Sequence, residues 1–247
     1  MSPEDALAAL AWQLELGADE ALCETPQDRF APPPEKPAPE PQADVVARPT
    51  PEGGTAALAA AARDLGDLRD AMAAFEGCAL KKGARNLVFA DGLAGARVMI
   101  VGEAPGRDED MQGKPFVGRS GQLLDRMFAA IDLSRASEDP GQALYITNTL
   151  PWRPPQNRDP SSDELAMMMP FLHRHIALAA PEILVTMGNA ATKSLLKTST
   201  GITRLRGQWH ELNGVPLLPM FHPAALLRDP LKKRLAWADL LALRARL

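Results

Sequence analysis

RVMIVGEAPGRDEDMQGKPFVGRSGQLL, from Arg97 to Leu124, carries a strand, a turn, a loop and the start of a helix in one passage. Val98, Met99, Ile100 and Val101 form a short apolar run rich in β-branched residues, the pattern of a buried strand. The run stops at Gly102, and Glu103-Ala104-Pro105-Gly106 follows as a tight turn. Glycines flanking a proline let backbone N–H groups approach a ligand. They stand here at the strand's carboxyl end, where open α/β sheets bind their ligands. Arg107 to Lys114 is charged and expected to be a mobile loop. Gly118-Arg119-Ser120-Gly121 then leads into a helix with apolar positions Leu123, Leu124, Met127, Phe128 and Ile131. The same residues also fit an ordinary strand-to-helix crossover with a surface loop, and this passage alone does not separate the two.

The remaining chain sets the bounds. At 247 residues and 46% apolar content, it holds one sizeable domain with a tail, or two small domains. No apolar run approaches a bilayer's thickness, and the N-terminus MSPEDALAAL is acidic where a secretory signal is basic. The two cysteines, Cys23 and Cys78, stand far apart, so neither a disulfide framework nor a four-thiolate metal site is expected. The expected setting is reducing cytoplasm, with no membrane association. Net charge is −4, but residues 1–65 carry four basic against twelve acidic side chains, which leaves residues 66–247 at +4. A mildly basic body with an acidic leader admits a polyanionic partner without requiring one.

In chain order, Ser2-Pro3-Glu4-Asp5 is a helix start, with Leu7, Leu10, Ala11 and Leu14 at helical spacing. Residues 1–24 read as a short amphipathic helix, which docks either on a protein partner or on its own domain. Nine prolines between Thr25 and Gly54 make residues 25–54 an extended, disordered tether. Residues 55–247 are the folded domain. It opens with a helix expected from Ala56 to Phe75, whose inward positions are Leu58, Leu65, Leu68, Met72 and Phe75. Strand-like runs at Arg97–Val101, Leu144–Thr147, Ile183–Met187 and Val215–Phe221 then alternate with helical patterns. Those fall at Gly121–Ile131, Asp163–Leu178, Ala190–Leu196 and Arg234–Arg246. Such alternation implies a mostly parallel sheet covered on both faces. Four loops that follow strands, Gly102–Phe116, Asn148–Asp159, Gly188-Asn189 and His222–Asp229, then converge on one edge. Polar and unusual residues crowd into them, which points to a single cleft.

Each candidate in that cleft has two readings. Glu103, directly after a buried strand, has either a chemical task or a structural one, accepting backbone N–H bonds within its turn. Asp108, Glu109 and Asp110 read as a solvated acidic patch. Phe116 caps a core or offers a stacking platform to a planar base. Asn148 ends a strand and carries the donor–acceptor pair that reads a pyrimidine edge. His222 is a loop residue satisfied by backbone, or a donor to a developing oxyanion. Leu226 and Leu227, beside Arg228, suit an apolar wedge that unstacks DNA. Arg153, Arg158, Arg204, Arg206, Arg228, Lys232, Lys233 and Arg234 are candidate phosphate contacts.

Together these loops resemble the uracil-DNA glycosylase superfamily. The similarity is carried by GEAPGRDEDMQGKPFVGRSGQLL, YITN followed by WRPPQNRDP, ITRLRGQWHE and HPAALLRDP. It is greatest to the family-four, bacterial and archaeal branch, and it runs from about Cys78 to the C-terminus. The resemblance implies a three-layer α/β/α sandwich that binds uracil-containing DNA as a monomer, flips uracil out and hydrolyses its N-glycosidic bond. By position, it makes Glu103 and His222 catalytic: Glu103 is associated with the hydrolytic water, and His222 stabilises the departing uracil anion. Gly102, Ala104, Glu109, Phe116 and Asn148 then form the uracil pocket. Arg153, Arg158, Arg206, Pro223, Leu226, Arg228 and Lys232 face DNA, with Leu226 filling the vacated space. A non-catalytic uracil- or DNA-binding relative that recruits partners is the alternative.

One departure is large. Family-four enzymes hold a 4Fe–4S cluster on four cysteines, and the matching positions here are Phe75, Cys78, Trp152 and Met168. A single thiolate cannot hold such a cluster. The expectation is therefore a protein without a cluster or other metal cofactor, in which packing fills the vacated volume.

Overall fold

A computed structural model describes residues 51–247 of the chain. The amphipathic leader helix and most of the tether read from sequence lie outside the described residues. Four apolar runs form parallel strands: β2 (Val98–Gly102), β3 (Leu144–Asn148), β4 (Ile183–Met187) and β6 (Val215–Met220). Two short antiparallel edges complete the sheet, β1 (Asp91–Gly92) and β5 (His210–Leu212), in the order β1-β3-β2-β4-β6-β5. These edges are too short to leave a periodic signal, and the sequence reading contained neither.

Both faces of the sheet are covered, which is why β2, β3 and β4 are buried along their length and mostly apolar. On one face Val98, Ile100, Ile146, Val185 and Leu218 pack against Leu124 and Phe128 of α4 (Arg119–Ala129) and Leu240 and Leu243 of α9 (Lys233–Arg244). On the other, Met99, Val101, Tyr145 and Leu184 meet Leu172 and Ile176 of α5 (Ser162–Ala179) and Ala191 and Leu195 of α6 (Asn189–Leu196). The result is the expected three-layer α/β/α sandwich. Among the described residues no helix is long and apolar enough to cross a membrane.

Several local expectations are corrected. The helix expected over Ala56–Phe75 is two, α1 (Pro51–Ala61) and α2 (Leu65–Ala74), and α1 begins inside the stretch read as tether. Asp64 breaks it by accepting the Asp67 N–H at 2.8 Å as the N-cap of α2. Leu68 and Met72 are buried as expected, but Leu58 is 42% exposed. The supposed mobile loop after Gly106 is α3 (Arg107–Gln112), closed by Gly113 in the left-handed region at φ 72°. Asp110, expected in a solvated patch, is buried and accepts the N–H groups of Arg85 and Asn86 at 2.8 and 3.2 Å. The loop expected at His222–Asp229 holds α8 (Pro223–Arg228), with proline at its first position and His222 as N-cap. A further short helix, α7 (Ile202–Leu205), precedes β5.

Candidate active site

The parallel strands β3, β2, β4 and β6 are neighbours, so their carboxyl ends deliver Asn148, Gly102, Gly188 and the Phe221-His222 step to one rim. Gly102 pairs in register with Asn148. A Cβ on Gly102 would collide with the Asn148 amide oxygen and lie 2.6 Å from Cε2 of Phe116. Glycine is therefore required there, and its absent side chain is the space in which ring and amide meet. Phe116 in turn stacks on His222, with centroids 5.4 Å apart and planes at 29°. Three of the expected pocket residues and the expected imidazole thus share one slot.

Their polar atoms are left available. Asn148 is only 7% exposed, yet its amide makes no hydrogen bond with the described residues. Nδ1 of His222 accepts the Ala224 N–H at 3.1 Å, which assigns the proton of a neutral ring to Nε2. Burial and the nearby Arg228 cation lower the His222 pKa to about 4, against an opposing pull from Glu109. The ring is therefore neutral at physiological pH and presents Nε2–H as a donor.

Glu103 follows Gly102 at the rim. Thr149 donates its N–H to Gly102 O at 2.9 Å, and Leu150 donates to Glu103 O at 3.0 Å, so both peptides are fixed by the chain leaving β3. The Glu103 carboxyl makes no hydrogen bond with the described residues. Burial raises its pKa, and Asp159 adds to the rise. The structural task considered for Glu103 belongs to Glu109 instead. Glu109 Oε2 accepts the Gly106 N–H at 3.1 Å, and Oε1 accepts those of Val117 and Gly118 at 3.0 and 2.9 Å. With both oxygens committed to backbone amides, Glu109 clamps the turn after β2 to the Phe116 loop rather than offering itself to a base. Ala104 packs against the Trp152 cluster.

The Phe116 loop has a second support that the sequence did not signal. Arg135 donates from Nη1 to Pro115 O at 2.8 Å and from Nη2 to Phe116 O at 2.9 Å. Its Nε binds Asp125 at 2.8 Å and its Nη1 binds Asp91 at 3.2 Å. Beneath them Gly121, at the start of α4, leaves no room for a side chain below the Phe116 carbonyl.

The expected DNA-facing residues divide. Arg228 is exposed, with no ion pair among the described residues. Lys232 pairs with Asp229 at 3.1 Å and lies 5.7 Å from the Phe221 ring centre. Arg153 is half-buried and donates to Asn157 Oδ1 at 2.8 Å. Four others are placed otherwise than expected. Arg206 forms a buried fork with Asp239, its Nε 2.9 Å from Oδ2, so it braces α9 rather than a phosphate. Arg158, its side chain 46% exposed, pairs with Glu164, the capping-box partner of Ser161 at the start of α5, whose carboxyl it draws down to about 2. Pro223 is buried in the first turn of α8. Leu226 is 1% exposed among Leu123, Phe221 and Ala236, a core residue and not a free wedge. Leu227, its partly exposed neighbour, packs at that cluster's edge.

The residues at the family's cluster-ligand positions do not fit iron. Cys78, Trp152 and Met168 are buried in one apolar cluster with Leu68, Met72, Leu150 and Phe171, against which Phe75 packs edge-on to Phe171 at 5.7 Å. Burial raises the Cys78 pKa, which favours thiol over the thiolate that iron needs. Among the described residues no group of three or more His, Cys, Asp or Glu side chains is placed to hold a metal ion. Cys23 lies outside the described residues.

Fold and rim define a doubly covered α/β protein with a slot formed by an aromatic ring, an amide and a neutral imidazole. A family model described as the uracil DNA glycosylase superfamily matches residues 89–241, and the chain belongs to that superfamily. It is similar to the type-4 uracil-DNA glycosylase of Saccharolobus solfataricus, 40% identical over 161 residues that cover 62% of this chain and 72% of the relative. The corresponding protein of Archaeoglobus fulgidus is 39% identical over 161 residues, covering 62% and 78%. That of Thermotoga maritima is 36% identical over 156 residues, covering 62% and 77%. These matches agree with the family-four resemblance.

Proposed function

We propose that the chain is a uracil-DNA glycosylase of base excision repair that works without a metal or iron–sulfur cofactor. The observation that carries this reading is the slot over Gly102, where Phe116, the unpartnered Asn148 amide and the neutral His222 ring converge. Uracil flipped from the duplex stacks on Phe116, and Asn148 hydrogen-bonds its polar edge. As the bond from C1′ to N1 breaks, its electron pair goes to the base. His222 Nε2–H then donates to the uracil oxygen where that charge gathers, a contact worth about 3–4 kcal/mol in comparable oxyanion sites. The Glu103 carboxylate favours the cationic sugar, orients a water toward C1′ and takes its proton as the new C–O bond forms. The uracil anion is protonated by solvent after release.

Uracil-containing DNA is thus the partner, approached by residues 55–247 acting as a monomer. Arg153, Arg228 and Lys232 lie toward its phosphates, and Leu227 takes the wedge role that Leu226 cannot. Residues 1–24 are read as a protein-docking segment on the tether that follows, and the compartment as cytoplasm. The experiment is incubation with a uracil-containing oligonucleotide followed by alkaline cleavage at abasic sites. Wild type cuts, whereas Glu103→Gln and His222→Ala each lose activity by orders of magnitude. Uracil-dependent binding with no cutting by any of the three would make the chain a binding relative that acts through recruitment.

A further inference from the structure

We propose that Arg135, outside the rim motifs in sequence, is a positioning residue for base stacking and acts through Phe116. The inference rests on the reading of Phe116 as the stacking platform. Phe116 has a φ of +53°, in the left-handed region that a bulky L-residue avoids. Such a conformation persists only where the surroundings impose it. Here they do so from two sides. The carbonyls of Pro115 and Phe116 accept from the two terminal nitrogens of the Arg135 guanidinium, and the next two amides, Val117 and Gly118, donate to Glu109. A cation holds the oxygen ends and an anion the nitrogen ends of consecutive peptides, so both jaws favour the same backbone orientation.

Arg135 is itself immobilised. Asp125 and Asp91 hold its Nε and Nη1, and its side chain is 15% exposed. Its planar fork spans two successive carbonyls, a geometry that a lysine ammonium on a flexible stem does not reproduce. Without the fork the Phe116 peptide relaxes toward negative φ and carries the ring off the space above Gly102. The charges facing Arg135 are Asp91 and Asp125, and Lys114 shares Asp91 at 3.2 Å, so removing the arginine leaves one of these carboxylates with a second cation.

The test is a double-mutant cycle on kcat/KM for a uracil-containing oligonucleotide, using wild type, Arg135→Gln, Phe116→Ala and the double variant. Thermal midpoints are measured for all four. Arg135→Gln is expected to lower kcat/KM by roughly 10- to 100-fold, the scale of a misplaced binding group. In the Phe116→Ala background the same change is expected to have almost no further effect, because the group it positions is gone. A purely structural arginine would move the thermal midpoint yet give the same fold-loss in both backgrounds, and that result overturns the inference while leaving the stacking reading intact. An unimpaired Phe116→Ala would overturn both. Should Arg135→Gln be unfolded at the assay temperature, Arg135→Lys enters the same cycle with a smaller expected loss, judged by the same coupling.

Discussion

The ring of Phe116 lies 5.4 Å from the ring of His222, almost parallel to it, although 105 residues of chain separate the two. One comes from the crossover after β2 and the other caps the helix after β6. Their approach means that the group able to hold a flat base and the group able to receive its charge are set by the same packing. Gly188, at the end of β4, permits this: a Cβ there would stand 3.1 Å from that of His222, at a φ of +90° that a side chain resists.

His222 stays neutral well below the ordinary histidine pKa, so the pH–rate profile should show no inflection near 6.5. Its acid limb should instead follow Glu103, which titrates above the usual carboxylate range. Stability has a separate acid dependence. Buried His175, bonded to the Tyr145 hydroxyl at 2.9 Å, has its pKa lowered to about 4. The unfolded chain therefore binds more protons than the folded one between about pH 4 and 6.5, and stability present above that window is lost as pH falls through it. For His175 this amounts to at most about 3 kcal/mol. Denaturant midpoints at pH 7 and pH 5 measure it, and His175→Gln should shrink the difference, leaving the share that His222, lowered to about 4 by the same cause, contributes in the same window.

Glu103→Gln separates activity from stability. The carboxylate is half-buried, faces Asp159 and has no hydrogen bond with the described residues, so neutralising it relieves an electrostatic cost. Excision should fall by about 10²- to 10⁴-fold, as for loss of a general base. The thermal midpoint should stay level or rise. A parallel fall in both would make Glu103 a structural residue.

How much of this was legible follows from what each signal requires. The four parallel strands could be read from Val98, Leu144, Ile183 and Val215 onward because burial on both faces leaves an apolar run. Glu103, Asn148 and His222 stand out because each follows or ends a strand at one rim, and Phe116 because it is an apolar ring in a polar loop between Pro115 and Gly118. Glu109 was misjudged because a carboxylate among charged neighbours reads as solvated until the amides it faces are known. Leu226 was misjudged because α8 is shorter than the window in which helical periodicity shows. Arg135 left no signal: its partners Asp91, Pro115, Phe116 and Asp125 are 10 to 44 positions away, and only the folded chain brings them together.

Leu226 and Leu227 should part when each is cut to alanine. Leu226→Ala opens a void beside Leu123 and Phe221 and should cost about 2–5 kcal/mol in unfolding free energy. Leu227→Ala should leave stability near wild type and reduce excision from duplex more than from single-stranded DNA, because only the duplex must be unstacked. Equal loss on both substrates would remove Leu227 from the wedge role.

Arg206 and Arg228 test the division between bracing and binding. Arg206→Ala strands the buried Asp239 carboxylate and should destabilise by about 3–5 kcal/mol. The salt dependence of DNA binding should keep its slope in that variant. Arg228→Ala should do the reverse, with stability unchanged and the slope of log affinity against log salt shallower by about one phosphate's worth. Filter binding across a salt series, with urea unfolding alongside, distinguishes the two arginines.

The apolar cluster around Cys78 carries the last prediction, because it stands where the related type-4 enzymes are expected to hold iron. Purified full-length protein should be colourless and contain no iron by elemental analysis, even when expressed with iron and sulfide in excess. Trp152→Ala should cost about 3–5 kcal/mol, since the indole is buried beside Leu150, Met168 and Phe171 and no metal offsets the cavity. Cys78→Ala should cost far less and leave excision intact, because a buried protonated thiol contributes here as a small apolar group. A brown, iron-loaded protein that loses its colour and its fold on Cys78→Ala would mean that Cys78 and partners outside this cluster ligate metal, and the packing account would fall.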